Sequence, residues 1–247
     1  MGDAEKIIQI APKRMQEMLN SVLNYNKKFI LKKDEEKLLA KILFAMSRVD
    51  RKHFYEDEEE AYSDNALSIG RGQTISQPST VARMLILAGI EESDDVLEVG
   101  TGSGWNASLI SFITYPGKTV SVERIYKLLK LAEDNIGRLR GEIKQKHPHE
   151  IEKISKISMY AENIFKKGKA WKKKYDKIVI TAGIKEEQKE KVKNLAKGLL
   201  KKNGLLICPF IEGPMLILQK ENSKLIENTT KESYVFVPLL EKGVEKD

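Results

Sequence analysis

The sequence predicts an α/β fold: a mostly parallel, doubly wound sheet with an antiparallel C-terminal edge and a helical extension at the N-terminus. Three observations predict it. From Val96 onward, short apolar runs alternate with helical segments, the pattern of a parallel sheet covered on both faces. The first of these runs, Val96-Leu97-Glu98-Val99, passes directly into Gly100-Thr101-Gly102-Ser103-Gly104. Such a strand turns tightly and lets a ligand approach bare backbone. Ahead of both, residues 5–47 read as helices.

Within the extension, Leu38, Leu39, Ile42, Leu43 and Met46 recur at helical spacing, a stripe that should face a core. The acidic run Glu56-Asp57-Glu58-Glu59-Glu60 reads as a solvated loop or helix end, since its spacing resembles no metal-ligand loop. Residues 65–80 are rich in Gly, Ser and Thr and do not form a long helix. Pro78 then opens a helical run with Val81, Met84, Leu85 and Ala88 along one side. Strands are expected at 96–99, 119–122, 157–160, 177–181, 205–208, 215–218 and 234–237, with helices near 105–114, 124–140 and 185–200. The last three strands have no helix between them, hence the antiparallel edge, and Asn203-Gly204 marks a turn into one of them. Residues 138–156 read as a long polar connector. Its His147-Pro148-His149 has no third ligand nearby, so an exposed loop is expected there and no metal. The boundaries that follow are 1–90 for the extension and a covering segment, 91–240 for the cofactor-binding domain, and 241–247 for a polar tail.

The 247 residues, 41% hydrophobic and 32% charged, have the composition of an ordinary soluble globular protein. No apolar run approaches the ~18 residues that span a bilayer, so no membrane partner is expected. Met1-Gly2-Asp3-Ala4-Glu5 is no secretory signal, which points to the cytoplasm. The single cysteine, Cys208, excludes an internal disulfide and lies in an apolar run as a buried strand residue would. The net charge of +7 arises from 43 basic and 36 acidic residues, largely Lys and Glu, a balance that also suits a heat-adapted surface. The densest basic patch, Lys166-Lys167-Gly168-Lys169-Ala170-Trp171-Lys172-Lys173-Lys174, reads as a solvated loop. Its one aromatic leaves a nucleic-acid contact open. A monomer is expected.

The glycine turn carries the chemistry. Glu123 ends the next strand, 19 residues past Gly104, where a carboxylate can accept two hydrogen bonds from a ribose diol. The glycines fall as G-x-G-x-G, and Trp105 stands where a dinucleotide fingerprint has its last glycine. No Gly-Lys-Ser/Thr follows, which excludes a P-loop. S-adenosyl-L-methionine suits the pattern better, having a ribose and an adenine but no phosphate to cradle. Glu98 could help hold the ammonium of its methionine tail, directly or through water.

Here the chain resembles a known family, the protein L-isoaspartate (D-aspartate) O-methyltransferases. Four stretches carry the resemblance, which runs from about Val49 to Leu240. One is Ala61-Tyr62-Ser63-Asp64 followed by Ile69-Gly70-Arg71-Gly72-Gln73-Thr74-Ile75-Ser76-Gln77-Pro78; the others are the glycine motif, Val120-Ser121-Val122-Glu123-Arg124, and Tyr234-Val235-Phe236-Val237-Pro238-Leu239. The glycine motif alone says class I methyltransferase; Gly-Gln-Thr-Ile-Ser makes the resemblance specific. It implies a Rossmann-like class I methyltransferase fold and methyl transfer to the free carboxylate of isoaspartyl residues in damaged proteins and peptides, leaving S-adenosyl-L-homocysteine. The ester then collapses to a succinimide, whose hydrolysis restores some normal aspartate.

By the same resemblance Ser76 is the catalytic position, assigned to orienting the substrate carboxylate and not to nucleophilic attack, or alternatively to capping the helix at Pro78. Gln73, Thr74, Ile75 and Ser76 lie over the cofactor. Gly100, Thr101, Gly102, Ser103, Gly104 and Thr181 complete the site with Glu98 and Glu123. Where the family usually has Gly-Asp-Gly, with its acid on the adenine amino group, this chain has Ala161-Glu162-Asn163, and Glu162 and Asn163 take that place. Ser79 stands where the family often has an aromatic or histidine, and the proline common after Ile180-Thr181-Ala182-Gly183 is missing. Two other readings share the fold: an RNA methyltransferase, favoured by the lysines, and a non-catalytic cofactor-binding module, favoured by the altered adenine motif.

Overall fold

A computed structural model describes residues 2–222, 224–241 and 243–245. Met1, Ser223, Lys242, Lys246 and Asp247 lie outside the described residues, so the expected tail at 241–247 is covered only in part. Three helices come first, α1 (Asp3–Ile10), α2 (Lys13–Lys27) and α3 (Lys33–Arg48). The stripe on α3 faces inward as its spacing requires, with Leu39, Ile42, Leu43 and Met46 buried. The acidic run is a helix end: Asp57 accepts from the N–H groups of Glu59 and Glu60 and caps the single turn α4 (Glu58–Ala61). A hairpin of β1 (Leu67–Gly70) and β2 (Gln73–Ile75) follows, then α5 (Pro78–Ala88).

The alternating half then runs β3 (Val96–Val99), α6 (Trp105–Thr114), β4 (Thr119–Glu123), α7 (Tyr126–Lys146), β5 (Ile157–Ala161), β6 (Tyr175–Ile180) and α8 (Lys189–Leu199). It ends in β7 (Leu200–Pro209), β8 (Glu212–Gly213), β9 (Met215–Glu221), β10 (Lys224–Thr229) and β11 (Tyr234–Val235). Seven strands form one sheet in the order β10-β9-β7-β6-β3-β4-β5. Pairing is parallel from β7 to β5 and antiparallel at β7–β9 and β9–β10, as the missing crossover helices require. The chain leaves β3 for β4 and β5 on one side, then returns to β6 on the other. Ligand crevices in such sheets open at the carboxyl ends of the strands at this reversal.

Burial follows the two-residue period of a sheet covered on both faces. Val96, Val179 and Ile207 join the core under α3, α5, α6 and α7, which the N-terminal helices share. Leu97, Val99, Ile178, Ile180, Leu206 and Cys208 join the core under α8. Among the described residues, no helix is long and apolar enough to cross a membrane.

Three elements differ from expectation. The segment at 234–237 does not enter the large sheet, because its β11 part pairs with β8 instead. The edge strand is β10, whose mostly exposed side chains give no apolar alternation to read. The connector at 138–156 is structured: α7 continues to Lys146 because Leu139 and Ile143 are buried, and a 3-10 helix over Pro148–Ile154 buries Ile154. Asn203-Gly204 turns the chain as expected, with Asn203 at φ 64°, within the span of β7 and just ahead of Leu205, where its register against β6 and β9 resumes.

Gly183 carries the C-terminal segment across the ends of the parallel strands. Its N–H donates to Val237 O and its carbonyl accepts from Leu239 N, both at 2.7 Å. An added Cβ there would stand 2.6 Å from Ile211 Cα and 2.9 Å from Phe210 O, backbone that cannot swing aside. Gly183→Ala is expected to cost about 2 kcal/mol, the range of core overpacking, read as a lower urea midpoint at unchanged slope. An unchanged midpoint would refute this tight crossing.

Candidate active site

The turn after β3 is built on positive φ angles, 102° at Gly100, 54° at Gly102 and 90° at Gly104. A Cβ at Gly100 would collide with Thr181 Oγ1, whose hydroxyl lies 2.7 Å from Gly100 O and 3.0 Å from Val99 O. Gly104 serves packing: a Cβ there would come within 3.1 Å of the Ala132 Cβ, so its absence lets α6 begin directly against α7.

Two open clefts of about 590 and 450 Å³ lie beside this turn, sharing Gln73, Gly100, Glu123 and Ala182 in their walls. The first gathers Gln73, Thr74, Ile75, Ser76, Gly100, Thr101, Gly102, Ser103, Glu123 and Thr181 from the expected site, and the second adds Glu162 and Asn163. Gly104 and Glu98 line neither.

The two carboxylates differ in what surrounds them. Glu123 closes β4 at the junction of the clefts, accepting from Gly102 N at 3.0 Å and Ile125 N at 2.9 Å. A carboxylate at this junction can accept from a ribose diol as well as from the backbone. Burial raises its pKa against those backbone bonds. Glu98 is fully buried beneath the turn, accepting from Ser121 Oγ at 2.5 Å and Asn106 Nδ2 at 2.8 Å, with Thr101 Oγ1 a further 2.6 Å from Ser121 Oγ. It braces the turn from below and lines neither cleft, though its partner Asn106 lines the first. Burial pushes its carboxyl up to about 8.

Arg51 organises the segment that approaches from the other side, a role invisible in its local sequence. It is fully buried, with Nη1 donating to Ala61 O (2.8 Å) and Ser63 O (3.1 Å), and Nη2 to Asn65 O (3.0 Å) and Ser76 O (3.1 Å). Its guanidinium lies 5.1 Å over the Trp105 ring. Burial lowers its pKa to about 10 against the pull of Asp64, so it stays a cation at neutral pH. Ser76 faces the first cleft, and its hydroxyl makes no hydrogen bond among the described residues. It is not the cap of α5: that position is Gln77, and it uses no side-chain bond. Asp64 serves the helix start instead, accepting from Ser79 N and Ser79 Oγ. Val81, Met84, Leu128 and Val237 supply the apolar wall. Trp105 also borders the cleft, yet it is 1% exposed with its indole N–H given to Val49 O at 3.0 Å, so packing dominates.

Glu162 lines the second cleft and also braces the lysine patch. Its carboxylate accepts from Lys169 N at 2.6 Å and Ala170 N at 3.2 Å, capping the 3-10 turn Lys169–Lys172 of the lysine patch. Asn163 Nδ2 donates to Glu241 O at 2.7 Å and holds the C-terminal segment over the second cleft. Among the described residues, no group of three His, Cys, Asp or Glu could hold a metal ion.

Residues 24–244 match the family described as Protein-L-isoaspartate(D-aspartate) O-methyltransferase. The chain belongs to this family. The protein-L-isoaspartate O-methyltransferase of Pyrococcus abyssi is 36% identical over 202 residues, 79% of this chain and 84% of that one. Its namesake in Methanothrix thermoacetophila is 30% identical over 239 residues, 95% of this chain and 98% of that one. A Plasmodium falciparum structure described as a member of the same family, in complex with S-adenosyl-L-homocysteine, has a TM-score of 0.69 at 24% identity. It covers 90% of this chain and 98% of its own, and it shows that the family fold is the one described above.

The buried Glu98 generates a pH prediction. With its carboxyl near 8 in the fold and an ordinary value of 4.5, the native state holds a proton that the unfolded chain releases. The stability it contributes is complete below about pH 4.5 and is lost as pH rises towards 8. Glu98→Gln stays neutral and is expected to flatten the fall in unfolding free energy between about pH 5 and 8. Parallel curves for parent and variant would remove Glu98 as the cause.

Proposed function

We propose that this chain is a protein-L-isoaspartate O-methyltransferase, methylating the free carboxylate of isoaspartyl residues in damaged proteins and peptides from S-adenosyl-L-methionine. The observation that carries this reading is the unengaged Ser76 hydroxyl, facing the cleft that the glycine turn and Glu123 also line. The site suits the cofactor: Glu123 brings a carboxylate to the junction of the two clefts, where a ribose diol can donate to it, and Gly100 and Gly102 leave bare backbone beside it. When bound, S-adenosyl-L-methionine supplies an activated methyl group on sulfonium.

The residues of the chain then have limited tasks. Glu123 holds the ribose, while Gln73, Thr74 and Ile75 cover the cofactor. Glu162 and Asn163 border the adenine side, with each Glu162 oxygen also accepting one backbone N–H of the lysine turn. A substrate carboxylate is ionised at neutral pH, so no general base is needed. Ser76 donates its O–H to one carboxylate oxygen and aims the other. Val81, Met84, Leu128 and Val237 keep water out, which strengthens that hydrogen bond. Orientation of this kind can supply several kcal/mol of the barrier reduction.

The lysine patch offers a nucleic acid little. Trp171 is half-buried with its N–H on Ile164 O, Lys173 pairs with Asp95 at 3.4 Å, and Lys174 Nζ is bound to Gly198 O. We place the enzyme in the cytoplasm as a monomer, its one thiol, Cys208, buried and inert.

The deciding assay compares labelled methyl transfer to matched isoaspartyl and aspartyl peptides. Base-labile label on the isoaspartyl peptide alone is expected; transfer to neither, with cofactor binding confirmed, would sink the reading. Glu123→Ala is expected to weaken cofactor binding by about 10²-fold, the scale of hydrogen bonds to a charged acceptor, and unchanged affinity by calorimetry would refute the ribose assignment. Replacing Lys172, Lys173 and Lys174 by serine should leave peptide methylation intact; a large loss would restore the patch as part of the site.

A further inference from the structure

Ser76 and Gln77 form the link between β2 and α5, and two charged residues outside the clefts hold that link from opposite sides. On one side, Arg51 grips Ser76 O at 3.1 Å with the same nitrogen that holds Asn65 O at 3.0 Å. Its other terminal nitrogen holds Ala61 O and Ser63 O, so the planar fork cannot pivot without breaking several bonds at once. On the other side, Asp64 accepts from Gln77 Nε2 at 3.2 Å, Ser79 N at 2.8 Å and Ser79 Oγ at 2.6 Å. Thr80 Oγ1 in turn donates to Gln77 Oε1 at 3.2 Å. The third Asp64 bond exists because residue 79 is a serine, fully buried.

Because Arg51 also lies over Trp105, the first residue of α6, the same cation sets Ser76 relative to the glycine turn. Neither Arg51 nor Asp64 lines either cleft, so neither touches a ligand there.

We propose that Arg51 and Asp64 are positioning residues for methyl transfer, fixing the Ser76 hydroxyl by its backbone carbonyl on one side and by residues 77 and 79 on the other. The proposal rests on the reading of Ser76 as the group that orients the substrate carboxylate. A loosened grip shifts Ser76 without removing it, so the loss falls on turnover while the cofactor contacts at Gly100–Gly102 and Glu123 remain.

The test is a double-mutant cycle on the full chain, with S-adenosyl-L-methionine and an isoaspartyl peptide. Arg51→Lys keeps the charge but loses the fork; it is expected to lower kcat by about 10²-fold, the scale of a ~1 Å misplacement. Affinity for S-adenosyl-L-homocysteine should change by less than ~2-fold, and in a Ser76→Ala background the same change should cost less than ~3-fold more. An equal loss in both backgrounds, or no loss in the parent, overturns the proposal. If Arg51→Lys fails to give a cooperative melt, Asp64→Ala carries the same cycle, with Asp64→Asn expected to recover part of the lost kcat because it keeps an acceptor. Additive losses there overturn the proposal equally. Full activity in Ser76→Ala alone would instead overturn the underlying reading, and that variant is measured first.

Discussion

The catalytic half of this molecule depends on one buried cation. The segment from Ala61 to Asn65 and the link at Ser76 lie beside the core without strand partners for their carbonyls, and buried carbonyls need donors. Arg51 provides four bonds from a single fork. The dependence runs both ways, because no carboxylate hydrogen-bonds to this guanidinium among the described residues, and its Nε has no partner. Four carbonyl dipoles therefore offset the cost of burying the charge. Helical layer, irregular segment and serine form together, which is why the N-terminal helices share a core with the sheet and do not ride beside it.

A second constraint sits at the carboxyl ends of β3 and β4. Side chains alternate across the sheet, and Glu98 falls on the face covered by α6, whose Asn106 meets it. Glu123 ends its strand, where the sheet stops and the clefts begin. The fold thus gives the two carboxylates different surroundings: Glu98 shapes the turn through Ser121, and Glu123 stands where the two clefts meet.

Legibility followed burial. Strands β3 and β4 are enclosed on both faces, so their apolar runs declare them, and the spacing from the glycines to Glu123 survives intact in the structure. The hidden elements are those whose stability comes from elsewhere. β10 is held by backbone pairing with β9 and shows a polar face. The second half of α7 carries its apolar residues, Leu139 and Ile143, under a charged outer face that leaves the segment polar in composition. Arg51 is one of 43 basic residues, and its partners are spread from residue 61 to residue 76, so no local pattern marks it. Glu162 hydrogen-bonds to the turn at Lys169–Lys172, a contact across the lysine patch that no local pattern in the sequence announces.

The hairpin of β1 and β2 pairs with itself and with no strand of the large sheet. Its tip, Gly70-Arg71-Gly72, turns through three successive positive φ angles of 84°, 55° and 67°. The roof of the cleft is therefore tied to its floor by side-chain packing, through Ile75, Leu67 and Ile69, and not by backbone pairing. Lifting it breaks no rung of the seven-stranded ladder, so it belongs to the low end of the local stabilities within the fold, while the sheet sets the high end. What opening the roof costs is therefore side-chain packing, the burial of Ile75 and the contacts of Leu67 and Ile69, and no backbone rung of the sheet.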